Sequence, residues 1–190
     1  EHRNLQISEA DSYAVHVNSG LPLGTVNYRF GTFMAYGDWF SIDIKGVGGH
    51  ASAPERVGSP IRLGTHFLAE MINVAKALSR KGEKAVATVT EFQSGNTVNV
   101  IPATARLRGT IRATNDAVRT ELISGLHEII ELDHRDMQAY LEIMQGYPAV
   151  IADDQALQDL ISLLEAGTLA ESLVRMPEPS MVIEDYSYFL

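Results

Sequence analysis

Cysteine is absent from this 190-residue chain. That excludes disulfides, thiolate zinc sites and cysteine-held iron–sulfur clusters, and it fits a reducing compartment. No run of about 18 uncharged apolar residues exists, so no segment reads as a transmembrane helix. The opening residues Glu1-His2-Arg3-Asn4 lead into no apolar stretch, and no secretory leader is legible there. Basic residues are the next scarcity: 15 Lys and Arg stand against 24 Asp and Glu, a formal charge of −9. Nucleic acid and anionic membranes both call for clustered Lys and Arg, so neither is an expected partner. A cytoplasmic protein without membrane or nucleic-acid partners is the expectation.

What is present is ordinary globular composition, 45% apolar and 21% charged, over a length that allows one domain or two small ones. Phe40, Ile42 and Ile44 alternate with Ser41 and Asp43 as in a half-buried strand. Ser59-Pro60 supplies a cap and a first-turn proline for an amphipathic helix through Ile61, Phe67, Met71, Ala75 and Leu78 that ends near Lys81-Gly82. Val- and Thr-rich residues 85–92 form a second strand, and residues 103–113 alternate more strictly as a third. A second helix opens near Thr114-Asn115 with Val118, Leu122, Leu126 and Ile129 on one stripe. Ala139, Leu141 and Ile143 mark a fourth strand. The order βαββαβ, over about residues 37–148, is the ferredoxin-like arrangement, with one sheet face under two helices and the other polar.

The flanks read differently. Residues 12–17 and 25–30 resemble short strands, residues 153–166 a helix behind an Asp cap, and residues 175–180 a proline-rich connector. They hold too few elements to close a second core. The fold class expected is therefore α/β (α+β), with the ferredoxin-like module inserted into a larger domain represented by residues 1–36 and 149–190.

Generic motifs carry little. Gly46-Val47-Gly48-Gly49-His50-Ala51 satisfies the dinucleotide fingerprint, but Pro54, Gly58 and Pro60 delay the helix that the pyrophosphate needs. His127, Glu131 and His134 share a helical face at i, i+4 and i+7 and read better as a solvated face than as a metal site. No P-loop and no nucleophile elbow is present.

Val47-Gly48-Gly49-His50-Ala51-Ser52-Ala53-Pro54 is more informative. Its glycines let the backbone turn sharply after a strand and leave His50 on a loop. Such a His is a good hydrogen-bond donor, and on local pattern reads equally as a turn residue bonding its own loop. Asn99 lies between two strands, and Arg112 projects from the polar sheet face. An amide and a guanidinium suit a carboxylate, although local pattern alone favours a turn cap and a surface Arg.

These residues occur in a particular order. Ala14-Val15-His16-Val17, Leu21-Pro22-Leu23-Gly24 and Arg29-Phe30-Gly31 precede Asp38-Trp39-Phe40 and Gly48-Gly49-His50-Ala51-Ser52. Asn99-Val100-Ile101-Pro102, Gly109-Thr110-Ile111-Arg112, Gly146-Tyr147-Pro148 and Glu184-Asp185-Tyr186 follow. The series resembles the two-metal aminoacylase, hippurate hydrolase and indole-acetyl-amino-acid hydrolase group of metallopeptidases over nearly the whole chain.

That resemblance implies a metal-dependent amidohydrolase, with zinc, manganese or cobalt, acting on N-acyl amino acids or small peptides. It implies a lid and dimerisation domain in residues 37–148, pairing as a homodimer, inserted in an incomplete α/β catalytic domain. His16 is implied as a metal ligand. His50 is implied as the catalytic His that stabilises the tetrahedral oxyanion, often across a dimer into the partner's site. Asn99 and Arg112 are implied as holders of the substrate carboxylate. Glu184 and Asp185 match a family signature without being assigned as ligands, and Glu55 stands where many relatives carry a second His. The family places its first metal motif and its catalytic Glu pair upstream of the His16 strand, and a last metal-binding His downstream of Glu184-Asp185-Tyr186. The expectation is thus a fragment, inactive alone. A non-catalytic dimerisation or ligand-binding module is the rival reading. A ferredoxin-like RNA-binding domain is disfavoured by the acidic charge and the lack of paired aromatics on the second and third strands.

Overall fold

The computed structural model describes residues 12–80, 84–131, 134, 136–167 and 170–190. Two short strands come first, β1 (Val26–Tyr28) and β2 (Gly31–Met34). The long strand β3 (Tyr36–Lys45) follows; it starts four residues before the alternating pattern of Phe40, Ile42 and Ile44, so Asp38 falls in phase with them and is buried as they are. A two-residue strand, β4 (Gly49–His50), leads to helix α1 (Pro60–Arg80), whose first turn is capped by Ser59; the expected stop at Lys81-Gly82 lies outside the described residues. Strand β5 (Ala85–Ser94), the short β6 (Val100–Ile101) and β7 (Thr104–Ala113) complete the middle of the chain. Helix α2 (Asp116–Glu131) buries Val118, Leu122, Leu126 and Ile129, the stripe read from the sequence. Strands β8 (Gln138–Tyr147) and β9 (Val150–Ala152), helix α3 (Asp154–Glu165) and strand β10 (Leu173–Arg175) end the series.

β5, β7, β3 and β8 form one antiparallel sheet in that spatial order, which is the ferredoxin-like topology. Both helices cover one face. There Phe40, Ile42, Ile44, Leu107 and Ile111 meet Phe67 and Met71 of α1 and Leu122 and Leu126 of α2 in a continuous core. The other face is polar, with Arg106 on Asp43 at 2.7 Å and Arg108 facing Glu91 at 3.5 Å. No helix among the described residues is long and apolar enough to cross a membrane.

Gly109 shows how closely the strands of the sheet pack on one another. It pairs with Phe40 across β3, and a methyl group there would run into the Thr88 carbonyl and the Phe40 ring. Gly109→Ala should therefore destabilise the chain by about 1–3 kcal/mol through overpacking, read from chemical denaturation. A loss below about 0.5 kcal/mol would show that the sheet accommodates the methyl by moving.

The flanks pair around the sheet. β1 runs parallel to β10, and β2 runs antiparallel to β9. Asp153 caps α3 by accepting from the Ala156 amide at 2.8 Å. Residues 12–17 differ from expectation: they form no ladder, and Val15 and Val17 stand 95% and 88% exposed. Alternating side chains favour an extended backbone, but a strand also needs a backbone ladder, and this segment meets its neighbours through side chains such as Tyr13, whose hydroxyl donates to the Ala156 carbonyl at 3.3 Å.

Candidate active-site residues at two ends of one sheet

The loop ends of β3, β5 and β7 carry the first group. After β3, Gly48 takes φ +72°, and any side chain there would meet the Ile101 carbonyl and Ala103. This lets β4 lie antiparallel to β6, with Gly49 opposite Ile101 and His50 opposite Val100. The ladder continues one bond further, from the Ala51 amide to the Asn99 carbonyl at 3.0 Å. His50 and Asn99, far apart in sequence, are thereby held on one platform.

Their side chains present donors. The Ser52 amide donates to His50 Nδ1 at 3.2 Å, and the Ser52 hydroxyl lies 2.7 Å from the same nitrogen. An amide N–H can only donate, so Nδ1 accepts and the hydrogen of the neutral ring sits on Nε2. Among the described residues nothing bonds Nε2, and His50 is exposed. The Thr97 hydroxyl donates to Asn99 Oδ1 at 3.0 Å, which leaves the Asn99 amide hydrogens outward. An N–H of His50 and an NH₂ of Asn99 on one surface suit an oxygen that carries or gains negative charge.

Arg112 stands at the other end of β7. Its side chain lies on the polar face, as the alternation predicts, but it is part-buried and donates from Nη1 to the Met181 carbonyl at 2.6 Å. At about 3.3 Å per residue, the eight steps from Thr104 to Arg112 span roughly 26 Å. Arg112 and Asn99 of one chain therefore cannot hold the same small carboxylate.

The stretch from Met181 onward brings in the last candidate. Ile183 packs over Gly37, and Glu184 faces His16, with Oε2 3.3 Å from Nε2. His16 Nδ1 lies 2.7 Å from the Val17 carbonyl, which can only accept, so Nδ1 carries a hydrogen and the neutral ring leaves a bare lone pair on Nε2. That is the tautomer of a metal-ligating histidine whose other nitrogen is fixed by a backbone carbonyl. A lone pair facing a carboxylate needs a cation between them, either a proton or a metal ion. The donor chemistry fits a divalent ion, and His16 is the residue that would hold it. A metal centre takes three or more protein ligands, and no such cluster of His, Asp and Glu occurs among the described residues. The helical trio does not assemble one: His134 bonds the Ile130 carbonyl at 2.8 Å and stands edge-on to Phe67.

Two polar features escape a motif-based reading. Ser52 is visible in the sequence only as a neighbour of His50. Asp38 is more legible: it shares the phase of Phe40, Ile42 and Ile44, which marks an inward carboxylate in need of a partner. Arg119 supplies it, donating from Nε at 2.6 Å and Nη2 at 2.9 Å, while the Gly146 amide donates at 3.0 Å. The hydrogen bond to Asp38 holds the Arg119 pKa above its ordinary value against the opposing effect of burial.

Residues 37–137, more than half of the chain, match the family model of the M20 peptidase dimerisation domain. The chain belongs to the M20 family. Thermostable carboxypeptidase 2 of Saccharolobus solfataricus is 27% identical over 94% of this chain and 45% of its own length. The N-acetyl-L-cysteine deacetylase of Bacillus subtilis is 28% identical over 93% of this chain and 42% of its own. A solved Bacillus subtilis protein, described as a dinuclear metal binding peptidase from the M20 family, superposes with TM-score 0.64 at 26% identity, covering 92% of this chain and 43% of that one. The M20 family is hydrolytic, with peptidases and amidohydrolases among these relatives, and the chain spans about half the length of the curated relatives it matches.

Proposed function

We propose that the chain supplies the lid, and part of the catalytic domain, of a metal-dependent amidohydrolase that cleaves the amide bond of N-acyl amino acids. In this reading residues 37–148 are the lid and dimerisation domain, and residues 1–36 and 149–190 belong to the catalytic domain. The observation that carries it is the separation of donors along β7. One protomer cannot close His50, Asn99 and Arg112 on one small substrate, whereas two protomers related by a two-fold axis can.

β5 is an edge strand whose ten residues carry a single charge, Glu91, and an unprotected edge of that kind recruits another strand. Antiparallel pairing of two β5 strands sets the Ser94 end of one beside the Ala85 end of the other. Ala85 and Val86 are in register with Ala113 and Arg112 of β7. The loop with His50 and Asn99 then reaches toward the Arg112 end of the second copy, and each site draws on both chains.

Each residue has a defined task in such a site. The His50 Nε2–H donates to the amide oxygen as it gains negative charge, and Asn99 and Arg112 bind the carboxylate. One N–H of Arg112 is engaged by Met181, and the fork retains other donors for a carboxylate. His16 would be one ligand of a divalent ion, which when bound polarises the amide carbonyl. Support for the substrate class comes from the deacetylase of N-acetyl-L-cysteine, and for the ion from the dinuclear metal binding peptidase.

The substrate class is tested with Arg112→Lys in the protein carrying its complete catalytic domain. The variant should lower kcat/KM for an N-acyl amino acid by about one to two decades, the worth of a charge-assisted bidentate contact. For the same substrate with its carboxylate capped as an amide, the loss should be small. Equal losses on both substrates would remove the carboxylate clamp.

A further inference from the structure

We propose that Ser52 is the positioning residue for His50, fixing both the orientation of its ring and the nitrogen that carries the proton. The inference deepens the proposed function, because it matters for catalysis only if His50 is the oxyanion donor. The structural part stands by itself.

The geometry begins with a turn. The Ala53 amide donates to the His50 carbonyl at 3.1 Å, which closes a four-residue turn over residues 50–53 and aims the amide of its third residue, Ser52, back toward residue 50. In many turns a short polar side chain at the first position accepts that amide. Here the acceptor is an imidazole nitrogen, and the same residue adds its hydroxyl. Both groups converge on Nδ1; the amide can only donate and so requires Nδ1 to be unprotonated, and the hydroxyl, which can donate or accept, then donates as well. A ring with its hydrogen on Nδ1 would confront the Ser52 amide with a second hydrogen and lose that bond. The turn therefore selects the tautomer with hydrogen on Nε2, the nitrogen that faces outward. The ladder from Ala51 to Asn99 fixes the backbone on which this occurs, so the donor direction is set before any substrate arrives.

Ser52 contributes in two ways that a substitution can separate. Ser52→Ala removes the hydroxyl and keeps the amide, and Ser52→Thr keeps both. The chain as it stands suffices for the first experiment, a long-range proton–nitrogen NMR correlation of the His50 ring above its titration range. In the unaltered chain Nδ1 should resonate as a bare, hydrogen-bonded nitrogen and Nε2 as a protonated one. Ser52→Ala should shift Nδ1 toward the unbonded value and increase ring mobility, with the fold unchanged, and Ser52→Thr should restore both. A hydrogen on Nδ1 in the unaltered chain, or ring signals unmoved by Ser52→Ala, would overturn the proposal. In the protein with its complete catalytic domain, Ser52→Ala should lower kcat by about tenfold with KM nearly constant, and Ser52→Thr should recover most of it. If the NMR signature holds while His50→Ala leaves kcat intact, the positioning contact survives and the proposed catalytic role of His50 does not.

Discussion

Asp38→Ala should cost the chain about 3–5 kcal/mol, the range for removing one partner of a buried ion pair. Asp38 is 2% exposed and the Arg119 side chain 22%, so little water is at hand to replace the lost contacts. The substitution strands two donors at once. The guanidinium loses both bonds to the carboxylate, and the buried Gly146 amide loses its acceptor near the end of the edge strand β8. For a chain of this size that corresponds to a fall in Tm of roughly 6–20 °C. Because much of the loss is the burden of a partly buried guanidinium left with only the exposed Asp116 at 3.5 Å, Asp38→Ala with Arg119→Ala should cost clearly less than the sum of the two single changes. A loss below about 1 kcal/mol for Asp38→Ala, or strict additivity, would mean that the pair is solvated in solution. The pair also bears on the site. Gly146, which Asp38 holds through its amide, accepts the Tyr188 hydroxyl at 2.9 Å through its carbonyl, in the segment that carries Glu184. Loosening Asp38 should therefore disturb the Arg112 and His16 end before the His50 end.

How much of this was legible in the sequence depends on the kind of signal. The βαββαβ order follows from alternation and helical stripes, because burial on one face is written into every second or every third and fourth residue. Asp38 belongs to the same pattern and is missed only when the strand is started at Phe40. Residues 12–17 show the opposite failure: Tyr13, Val15 and Val17 alternate, but alternation describes side chains and says nothing about whether a neighbour completes the ladder. His16, His50, Asn99 and Arg112 are recognisable as a set from their order along the chain. Their partition is not, since motif order carries no distances, although the eight steps along β7 from Thr104 to Arg112 already separate two of them. Ser52 is the least legible, because a contact between an imidazole and the amide two residues on leaves no compositional trace.

The second large effect is expected at His50. In the protein with its complete catalytic domain, His50→Ala should reduce kcat by about 10²–10³, the loss typical of a removed oxyanion donor. KM should change little, because the oxygen gains its charge only on the way to the transition state. His50 is exposed, so the same substitution should move stability by less than about 0.5 kcal/mol. A kcat within a factor of about three of the unaltered protein would assign the donor role elsewhere.

Mixing two inactive variants tests most directly whether each site is built from two chains. In the protein with its complete catalytic domain, His50→Ala and His16→Ala should each form inactive dimers. Unfolded together and refolded at equal concentration, half of the dimers combine one chain of each kind. If the His50 of one chain serves the site containing the His16 of the other, each mixed dimer holds one intact site and one doubly altered site. Activity should then return to about a quarter of that of the unaltered dimer. Recovery no greater than the sum of the two separate variants, with mixed dimers demonstrated by mass, would place His50 in the site of its own chain and contradict the composite site.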